Sequence, residues 1–415
     1  MGGSKRQRGQ DPSGGAPRGM PEPPRAVREG LLAEAGGPAG GAGGAVVPSA
    51  GSAWQAGRCA ALGAGAGGSA LVVVAAGARV LWARAPATVG AEGVLEGKSG
   101  VYLARPGGEA VLARELGPLC HESEVQALTA TPGGEPGSVR VASADSKGRC
   151  TVMEIREGWQ AAGVGASAGS GELGPAQVYS VAPQAYGEAG WTGVALNAKN
   201  AHLVATARFF ARDITLYDGG FPVGEFHTAE RPRALVFLPP GLLGNSPALL
   251  AAAEGNKLSL WDSRVEQGCI SRHSSQGQVG VVSSGSPCAG FSAGIVATAG
   301  DDRTVNLWDP RRMGQIFYRY SPDAVRSPIT FLDFSSHDSA TCFIGTQGGE
   351  LVHGCWIPQQ KGGTPLDRAQ KAAVKAAAAG NCVRGGGRWA GISKLPGQDH
   401  LVGLTDRGSL ITYVP

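Results

Sequence analysis

One short pattern, which the chain repeats, constrains the fold more than any other feature of the sequence. Residues 301–309 read DDRTVNLWD, an acidic turn followed by an alternating segment that ends in Trp-Asp. The pattern recurs at residues 254–262 as EGNKLSLWD and at residues 210–218 as FARDITLYD. A chain that repeats such a segment is expected to repeat a structural unit.

Four weaker copies bring the number of repeats to seven. In chain order, the residues at the tryptophan position are Trp82, Met153, Tyr217, Trp261, Trp308, Gly354 and Tyr413. An aspartate follows three of them, at Asp218, Asp262 and Asp309. Three consecutive spacings are 44, 47 and 46 residues, close to the ~40–45 residues typical of one propeller blade.

Each copy has the same local physics. A short run of small apolar residues, such as IVATA or ALLAAA, predicts a buried strand, and a polar turn follows it. The next residues alternate between apolar and polar, which is typical of a half-buried antiparallel strand. A four-stranded sheet cannot bury both of its faces alone, whereas seven sheets stacked around an axis bury them against one another.

The segments GDDRTVNLWDPR and EGNKLSLWDSR resemble the WD-repeat family of β-propellers, over roughly residues 45–415. The resemblance implies an all-β fold, a seven-bladed WD-repeat β-propeller. It also implies a hydrogen-bond network between a turn aspartate, the tryptophan and an upstream histidine. Asp302 and Trp308 match the first two positions, and His121 and His227 lie where the histidine falls in the second and fourth repeats.

Composition divides the chain into a tail and a propeller. Residues 1–43 are rich in Gly, Pro and Arg and predict a disordered N-terminal tail, while residues 44–415 predict the propeller. A structureless insertion is expected at about residues 157–177, and a short alanine-rich helix at about residues 364–380. The last repeat ends on a third strand, and we expect Gly44–Trp54 to supply the missing fourth strand.

Charge and apolar patterning exclude several classes of function. The 37 basic and 33 acidic residues leave a net charge of +4, and no basic face predicts nucleic-acid binding. The longest apolar run, Ala70–Ala76, is far shorter than a membrane span. None of the eight cysteines forms a C-x-x-C pair, so we expect buried free thiols and a cytoplasmic or nuclear location.

Three strings that look catalytic lack the context that their chemistry requires. GAGAGG, at residues 63–68, precedes a strand instead of following one, and GKS, at residues 97–99, has Glu92 where a phosphate-binding loop needs glycine. GASAG surrounds Ser167 in a loop without the strand and helix of a nucleophile elbow. No histidine pair has zinc-binding spacing. The sequence predicts a non-enzyme with no cofactor and no metal.

Two arginines are the candidate partner-binding residues. Arg264 and Arg311 each lie two positions after Trp-Asp, in neighbouring repeats. At the exit of a third strand, an arginine offers five donors to the carboxylates or carbonyls of a partner. The first hypothesis is therefore a protein-interaction scaffold, a subunit of an intracellular multiprotein complex with other proteins as partners.

A second hypothesis comes from the resemblance. The sixteen residues 249–264 and 296–311 are similar to a pattern, ending in this arginine, of substrate receptors of cullin-RING ubiquitin ligases, with departures at Gly255 and Ala297. The resemblance implies docking to the ligase adaptor through the two arginines. The same pattern also describes any well-formed blade, in which the arginine bonds a neighbouring loop.

Overall fold

The structure is a computed structural model of the 415-residue chain. The residues it describes are 26–35, 42–45, 56–64, 70–85, 94–96, 101–104, 106–134, 138–156, 176–183, 187–239, 248–265, 267–285, 294–309, 312, 314, 316–322, 325–337, 341–355, 381–384 and 386–415.

The described chain forms strands throughout. The first twelve are β1 (Ala26–Ala35), β2 (Ala42–Ala45), β3 (Cys59–Ala64), β4 (Ala70–Ala76), β5 (Arg79–Ala85), β6 (Val94–Glu96), β7 (Val101–Ala104), β8 (Pro106–Cys120), β9 (Val125–Pro132), β10 (Ser138–Asp145), β11 (Cys150–Arg156) and β12 (Ala176–Val181). The next twelve are β13 (Thr192–Leu196), β14 (Leu203–Arg208), β15 (Asp213–Asp218), β16 (Phe221–His227), β17 (Pro232–Phe237), β18 (Leu249–Glu254), β19 (Lys257–Asp262), β20 (Cys269–Ser274), β21 (Val279–Gly285), β22 (Ile295–Gly300), β23 (Val305–Trp308) and β24 (Ile316–Tyr320). The last seven are β25 (Ile329–Phe334), β26 (Thr341–Thr346), β27 (Glu350–Cys355), β28 (Asn381–Arg384), β29 (Trp389–Lys394), β30 (Leu401–Thr405) and β31 (Ser409–Val414).

These strands build a seven-bladed β-propeller. Blades 2 to 5 are antiparallel sheets of four consecutive strands, β9–β12, β13–β16, β17–β20 and β21–β24. The first strands of successive blades pack beside one another and so surround the axis, which puts the fourth strands at the rim. All seven residues at the tryptophan position lie on the third strand of a blade, as the repeat predicts.

Additional strands of the chain cover the outer edges of blades 6, 7 and 1. β1 pairs antiparallel with β31 as the fourth strand of blade 7, and its other edge pairs parallel with β8, the fourth strand of blade 1. In blade 6, β7 pairs parallel with the outer strand β28, and β6 pairs with β7. An N-terminal strand therefore closes the ring.

The prediction that Gly44–Trp54 closes the ring is wrong. The closing strand is β1, at Ala26–Ala35, instead of Gly44–Trp54. The predicted tail of residues 1–43 thus contains a blade strand, and β1 forms there because both of its edges find partners far along the chain. The predicted helix at residues 364–380 and the insertion at residues 157–175 lie outside the described residues, and β12 begins at Ala176.

The core is divided among the spaces between blades. Each of seven buried apolar clusters joins strands of two neighbouring blades, and together they follow the ring from blade 1 around to blade 7 and back to blade 1. The small apolar runs supply the second strands β4, β18 and β22, which are buried at every position. Small side chains suit these strands because sheets pack against both of their faces.

The turn between the second and third strands has one left-handed residue in every blade. The residue is glycine in five blades, at Gly77, Gly148, Gly255, Gly349 and Gly408. In blades 3 and 5 it is an arginine, Arg212 with φ of 56° and Arg303 with φ of 59°. These turns and the connections between blades share one face of the ring, which we call the upper face. The opposite face carries the loops between third and fourth strands and is the lower face.

Candidate protein-interaction surface

The Trp-Asp pair of blade 4 begins inside the core and ends at the lower face. The Trp261 ring is buried, and its Nε1 donates to Ser259 Oγ at 2.8 Å. The ring stacks on Phe226 of blade 3 at 5.6 Å, and the Arg272 guanidinium lies 5.1 Å from its centre. Trp261 therefore ties blade 4 to blade 3 and has no surface to offer a partner.

Asp262 holds the predicted partner-binding residue Arg264. The Asp262 carboxylate accepts the backbone N–H of Arg264 at 3.0 Å and its side-chain Nη2 at 2.8 Å. These hydrogen bonds raise the pKa of the Arg264 guanidinium above its ordinary value. The side chain is still 62% exposed. Arg264 is thus an oriented donor whose charge is largely neutralised by its own Trp-Asp aspartate.

The equivalent arginine of blade 5, Arg311, lies outside the described residues. Its neighbours Trp308 and Asp309 are described. Trp308 is buried and donates from Nε1 to Thr298 Oγ1 at 2.9 Å, and the Asp309 carbonyl accepts the N–H of Arg312 at 2.9 Å. Of the two predicted arginines, the structure therefore describes only Arg264, and the position of Arg311 relative to it stays a prediction.

Blade 3 carries tyrosine at the tryptophan position. Burial raises the pKa of the Tyr217 hydroxyl, while hydrogen bonds to Thr206 and Thr215 oppose that shift. Thr206 occupies the same place on its second strand as Thr298, which accepts the Trp308 indole in blade 5. Asp218, which follows Tyr217, is exposed at the lower end of its strand. Both residues are part of the blade framework.

The predicted aspartate–histidine network forms in blade 2. His121 Nδ1 lies 3.2 Å from Asp145 Oδ2, and Nε2 lies 2.8 Å from Ser143 Oγ. Burial alone would raise the pKa of Asp145, but hydrogen bonds from His121 and from the turn backbone outweigh burial and leave the pKa below its ordinary value. The prediction for His121 is confirmed, although Met153 replaces the tryptophan in this blade.

The prediction for His227 is wrong, because its side chain is exposed on the outer strand β16. In blade 5, Asp302 instead accepts the backbone and hydroxyl of Thr304, at 3.2 and 2.6 Å. That blade has no histidine at the equivalent position, so the aspartate stabilises its own turn alone.

The His121, Asp145 and Ser143 side chains have the order of a catalytic triad, but all three are buried. A substrate carbonyl has no route to Ser143 Oγ, so the arrangement works as a clamp within the blade. Burial raises the pKa of the Cys59 and Cys150 thiols to about 12, which removes them as nucleophiles at neutral pH. Ser167 lies outside the described residues.

The described residues give little support to a metal site, a membrane-spanning helix or a ligand-binding cleft. The described residues contain no cluster of His, Cys, Asp and Glu suited to a metal ion, and in this part of the chain no helix has the length and apolar character to cross a membrane. An open cleft of about 370 Å³ lies on the upper face between blades 6 and 7, lined by glycines and by Arg388, Asp406 and Arg407. Arg388 and Asp406 pair with each other at 3.4 Å, which suits structure better than catalysis.

The rim carries a repeated apolar residue that lies outside the sequence pattern of the second and third strands. In blades 3, 4 and 5 the outer strand has a β-bulge opposite the residue at the tryptophan position. The bulged residues are Val223, Ile270 and Phe317, which are 53, 48 and 47% exposed. Blade 2 has the same bulge in its backbone register, at Val178. The bulged residue lies nine residues after the tryptophan position in blades 4 and 5 but six residues after it in blade 3, because the loop before the outer strand is shorter there.

Comparison with solved structures gives the same architecture. A chain titled "Crystal Structure of Mitotic Checkpoint Complex" superposes with a TM-score of 0.57, covering 100% of this chain and 98% of that one, at 12% sequence identity. At that identity the likeness is one of fold alone. The sequence matches no protein-family model. No curated protein matches it either.

Proposed function

We propose that this chain is a non-catalytic interaction scaffold, a WD-repeat subunit of an intracellular multiprotein complex. The observation that carries the proposal is the row of exposed apolar residues at equivalent bulges on three consecutive blades. We call Val223, Ile270 and Phe317 the rim row. An isolated exposed apolar side chain needs no explanation, but a repeated one on neighbouring edge strands marks a binding surface.

The rim row continues towards the lower face in blade 4. Val265 is exposed beside Arg264, on the loop that leads into the outer strand. Apolar side chains flanked by an oriented arginine have the composition of protein interfaces, in which apolar and arginine side chains contribute most of the binding energy. Buried free thiols at Cys59, Cys150 and Cys342 agree with a reducing compartment.

The similar propeller chain supports the proposal to the extent that its title names a complex. Propellers present two faces and a rim around a rigid ring, which suits the simultaneous binding of several proteins. Among the residues that the structure describes, no arrangement of side chains favours a catalytic role over binding.

The test is recovery of partners from cells with a tagged chain. The double variant Ile270→Ser, Phe317→Ser removes most of the apolar surface of the rim row without entering the core. Lys147→Ser, which changes a side chain that is 51% exposed on the upper-face turn of blade 2, outside the rim row, is the control. Loss of a partner from the rim variant alone supports the proposal. If both variants and the unmodified chain recover the same partners, the rim row is not a binding surface.

The ligase-receptor hypothesis is not favoured by the geometry of Arg264. Its guanidinium is engaged by Asp262, as expected of an arginine that completes its own blade. The same purification tests the idea, because a receptor would recover the ligase adaptor and lose it on substitution of Arg264→Ala together with Arg311→Ala.

A further inference from the structure

Arg212 occupies a backbone conformation that five of the seven blades reserve for glycine. Its φ of 56° lies in the left-handed region, where the Cβ of an L-residue crowds the backbone. Glycine at this place would avoid that strain. Strained residues of this kind are concentrated at functional sites, so the groups around Arg212 indicate what its side chain can bind.

Its neighbours are two phenylalanines on the same turn. The Phe209 and Phe210 rings meet edge to face at 5.4 Å, and their N–H groups donate to the carbonyls of Trp191 and Ala189, both at 3.0 Å. Phe210 also rests on the backbone at Gly190, where a Cβ would come within 2.8 Å of the ring. The turn is therefore fixed in place, yet the Phe210 side chain is 53% exposed.

A second arginine covers the same rings from the next connection between blades. The Arg231 guanidinium carbon lies 5.1 Å from the Phe209 ring centre and 5.8 Å from that of Phe210. These distances are within the range of cation–π attraction. The Arg231 side chain is exposed, so its five N–H donors remain available for a ligand.

Three acidic groups nearby are already engaged. Asp213 pairs with Arg208, Glu230 pairs with Lys257 at 2.9 Å, and the Glu254 carboxylate accepts the backbone N–H of Ala229 at 2.9 Å. Among the residues that the structure describes, the guanidinium groups of Arg212 and Arg231 have no carboxylate partner. The two guanidinium groups outnumber the exposed carboxylate of Glu188 in the neighbouring connection, so this part of the upper face has a net positive charge beside exposed aromatic surface.

We propose that Phe209, Phe210, Arg212 and Arg231 form a docking platform for an acidic peptide segment of a partner protein, with an aromatic side chain of that segment on Phe210. The platform rests on the proposed scaffold function and adds a second surface with a defined partner chemistry. The two guanidinium groups bind carboxylates, and the exposed ring supplies the apolar contact. Two cations are too few for the backbone of a nucleic acid, which is why a peptide is favoured.

The experiment uses the purified full chain and fluorescein-labelled heptapeptides in anisotropy titrations. The probe peptide is EEDFDEE, and its controls are EEDADEE, without the aromatic ring, and QQNFNQQ, without the charges. The protein variants are Arg212→Gly and, as the matched control, Arg303→Gly. Both variants remove one exposed arginine from a left-handed turn position, but only Arg212 lies beside the phenylalanine pair.

The expected result is binding of EEDFDEE that weakens at least about tenfold in Arg212→Gly and stays unchanged in Arg303→Gly. Both variants should melt at or above the temperature of the unmodified chain, so that lost binding is not lost folding. Equal weakening in both variants, no preference over the control peptides, or binding of a single-stranded RNA heptamer in place of the peptide would overturn the platform. Partner recovery through the rim row is measured separately, so the scaffold function can stand when the platform fails.

Discussion

The two halves of the ring treat their outer edges differently. In blades 6, 7 and 1, strands of the same chain cover the edges, since β1 lies between β31 and β8, and β7 lies against β28. In blades 3 to 5, each described sheet ends at its fourth strand, and the bulged residue on that strand is apolar and exposed. The covered half is completed within the molecule, and the open half is left with a surface for other molecules.

The comparison shows how a propeller manages edge strands. An unpaired edge with apolar side chains invites association, and natural proteins pair, cover or bend such edges. The covered half pairs its edges, whereas the open half bends them with bulges and keeps the apolar side chains. The bulge interrupts the regular ladder, so the edge is a poor template for pairing between identical strands while its side chains remain available.

The largest expected effect comes from removing the strand that covers blades 7 and 1. Deleting residues 1–35 removes β1 and should lower the free energy of unfolding by at least about 5 kcal/mol, comparable with the whole stability of many domains. Urea denaturation followed by tryptophan fluorescence measures the change. Deleting residues 1–25 leaves β1 in place and is the control. If the two truncated chains unfold at the same urea concentration, β1 does not close the ring.

A clamp in blade 2, which lies between the two halves, gives the next effect. His121→Ala leaves the buried Asp145 and Ser143 without their partner, which should cost about 2–3 kcal/mol. Because the folded-state pKa of Asp145 is lowered, its stabilisation is present above about pH 4, the ordinary range of an aspartate, and is lost as the pH falls through the lower folded value.

The gap in stability between the unmodified chain and His121→Ala should therefore narrow in acid. Denaturation curves at pH 7 and pH 3 measure it, with the exposed His227→Ala as the control. A gap that is constant with pH would mean that the Asp145 pair does not stabilise the fold.

The turn position shared by all blades permits a direct comparison of the two halves. Gly77→Ala, in blade 1, places a Cβ in open space but at φ of 62°, and it should cost about 1–2 kcal/mol. Arg212→Gly, in blade 3, removes that strain and adds about 0.5–1 kcal/mol of chain entropy cost, for a net gain of up to about 1.5 kcal/mol. Thermal melts measure both, and a loss of stability in Arg212→Gly would show that the arginine also supports the fold.

The smallest effect is expected at Arg264. Its ion pair with Asp262 is solvent-exposed on the arginine side, and Arg264→Ala keeps the backbone N–H that Asp262 accepts, so the unfolding curve should not shift measurably. Arg208→Ala is the contrasting variant, because it leaves the buried Asp213 carboxylate unpaired and should cost about 2 kcal/mol. Equal losses in the two variants would make Arg264 a structural residue and remove it from the partner surface.

The repeat unit was predictable because its signal is local. A buried run, a turn and an alternating strand lie within about twenty residues, and each of the three follows from side-chain periodicity. This is why Trp82, Tyr413 and even Gly354 could be assigned to third strands, although Gly354 bears no resemblance to tryptophan. The place of His121 in the aspartate–histidine network was predicted from the resemblance to the WD-repeat family and not from periodicity, and the same reasoning was wrong for His227.

The closing strand and the rim row were not predictable in this way. The segment AVREGLLAEA of β1 has no strand pattern of its own, and its order comes from pairing with β31 and β8. The spacing from the tryptophan position is nine residues for Ile270 and Phe317 but six for Val223, and the bulges themselves are visible only in the register between strands. Arg212 could have been noticed, since it lies five residues before Tyr217, as Gly77 does before Trp82 and Gly408 before Tyr413.

The pairing of β1 with β31 has a consequence for synthesis on the ribosome. Leu31 of β1 faces Ser409 of β31 in the finished sheet, so β1 is synthesised long before its partner strand β31. At typical elongation rates of about 5–20 residues per second, the ring stays open for roughly 20–80 s. During that interval the outer edge of β1 next to blade 7 has no partner, and every nascent chain carries an exposed strand. A chain cut short before β31 leaves β1 without its partner in blade 7, so the ring cannot close there.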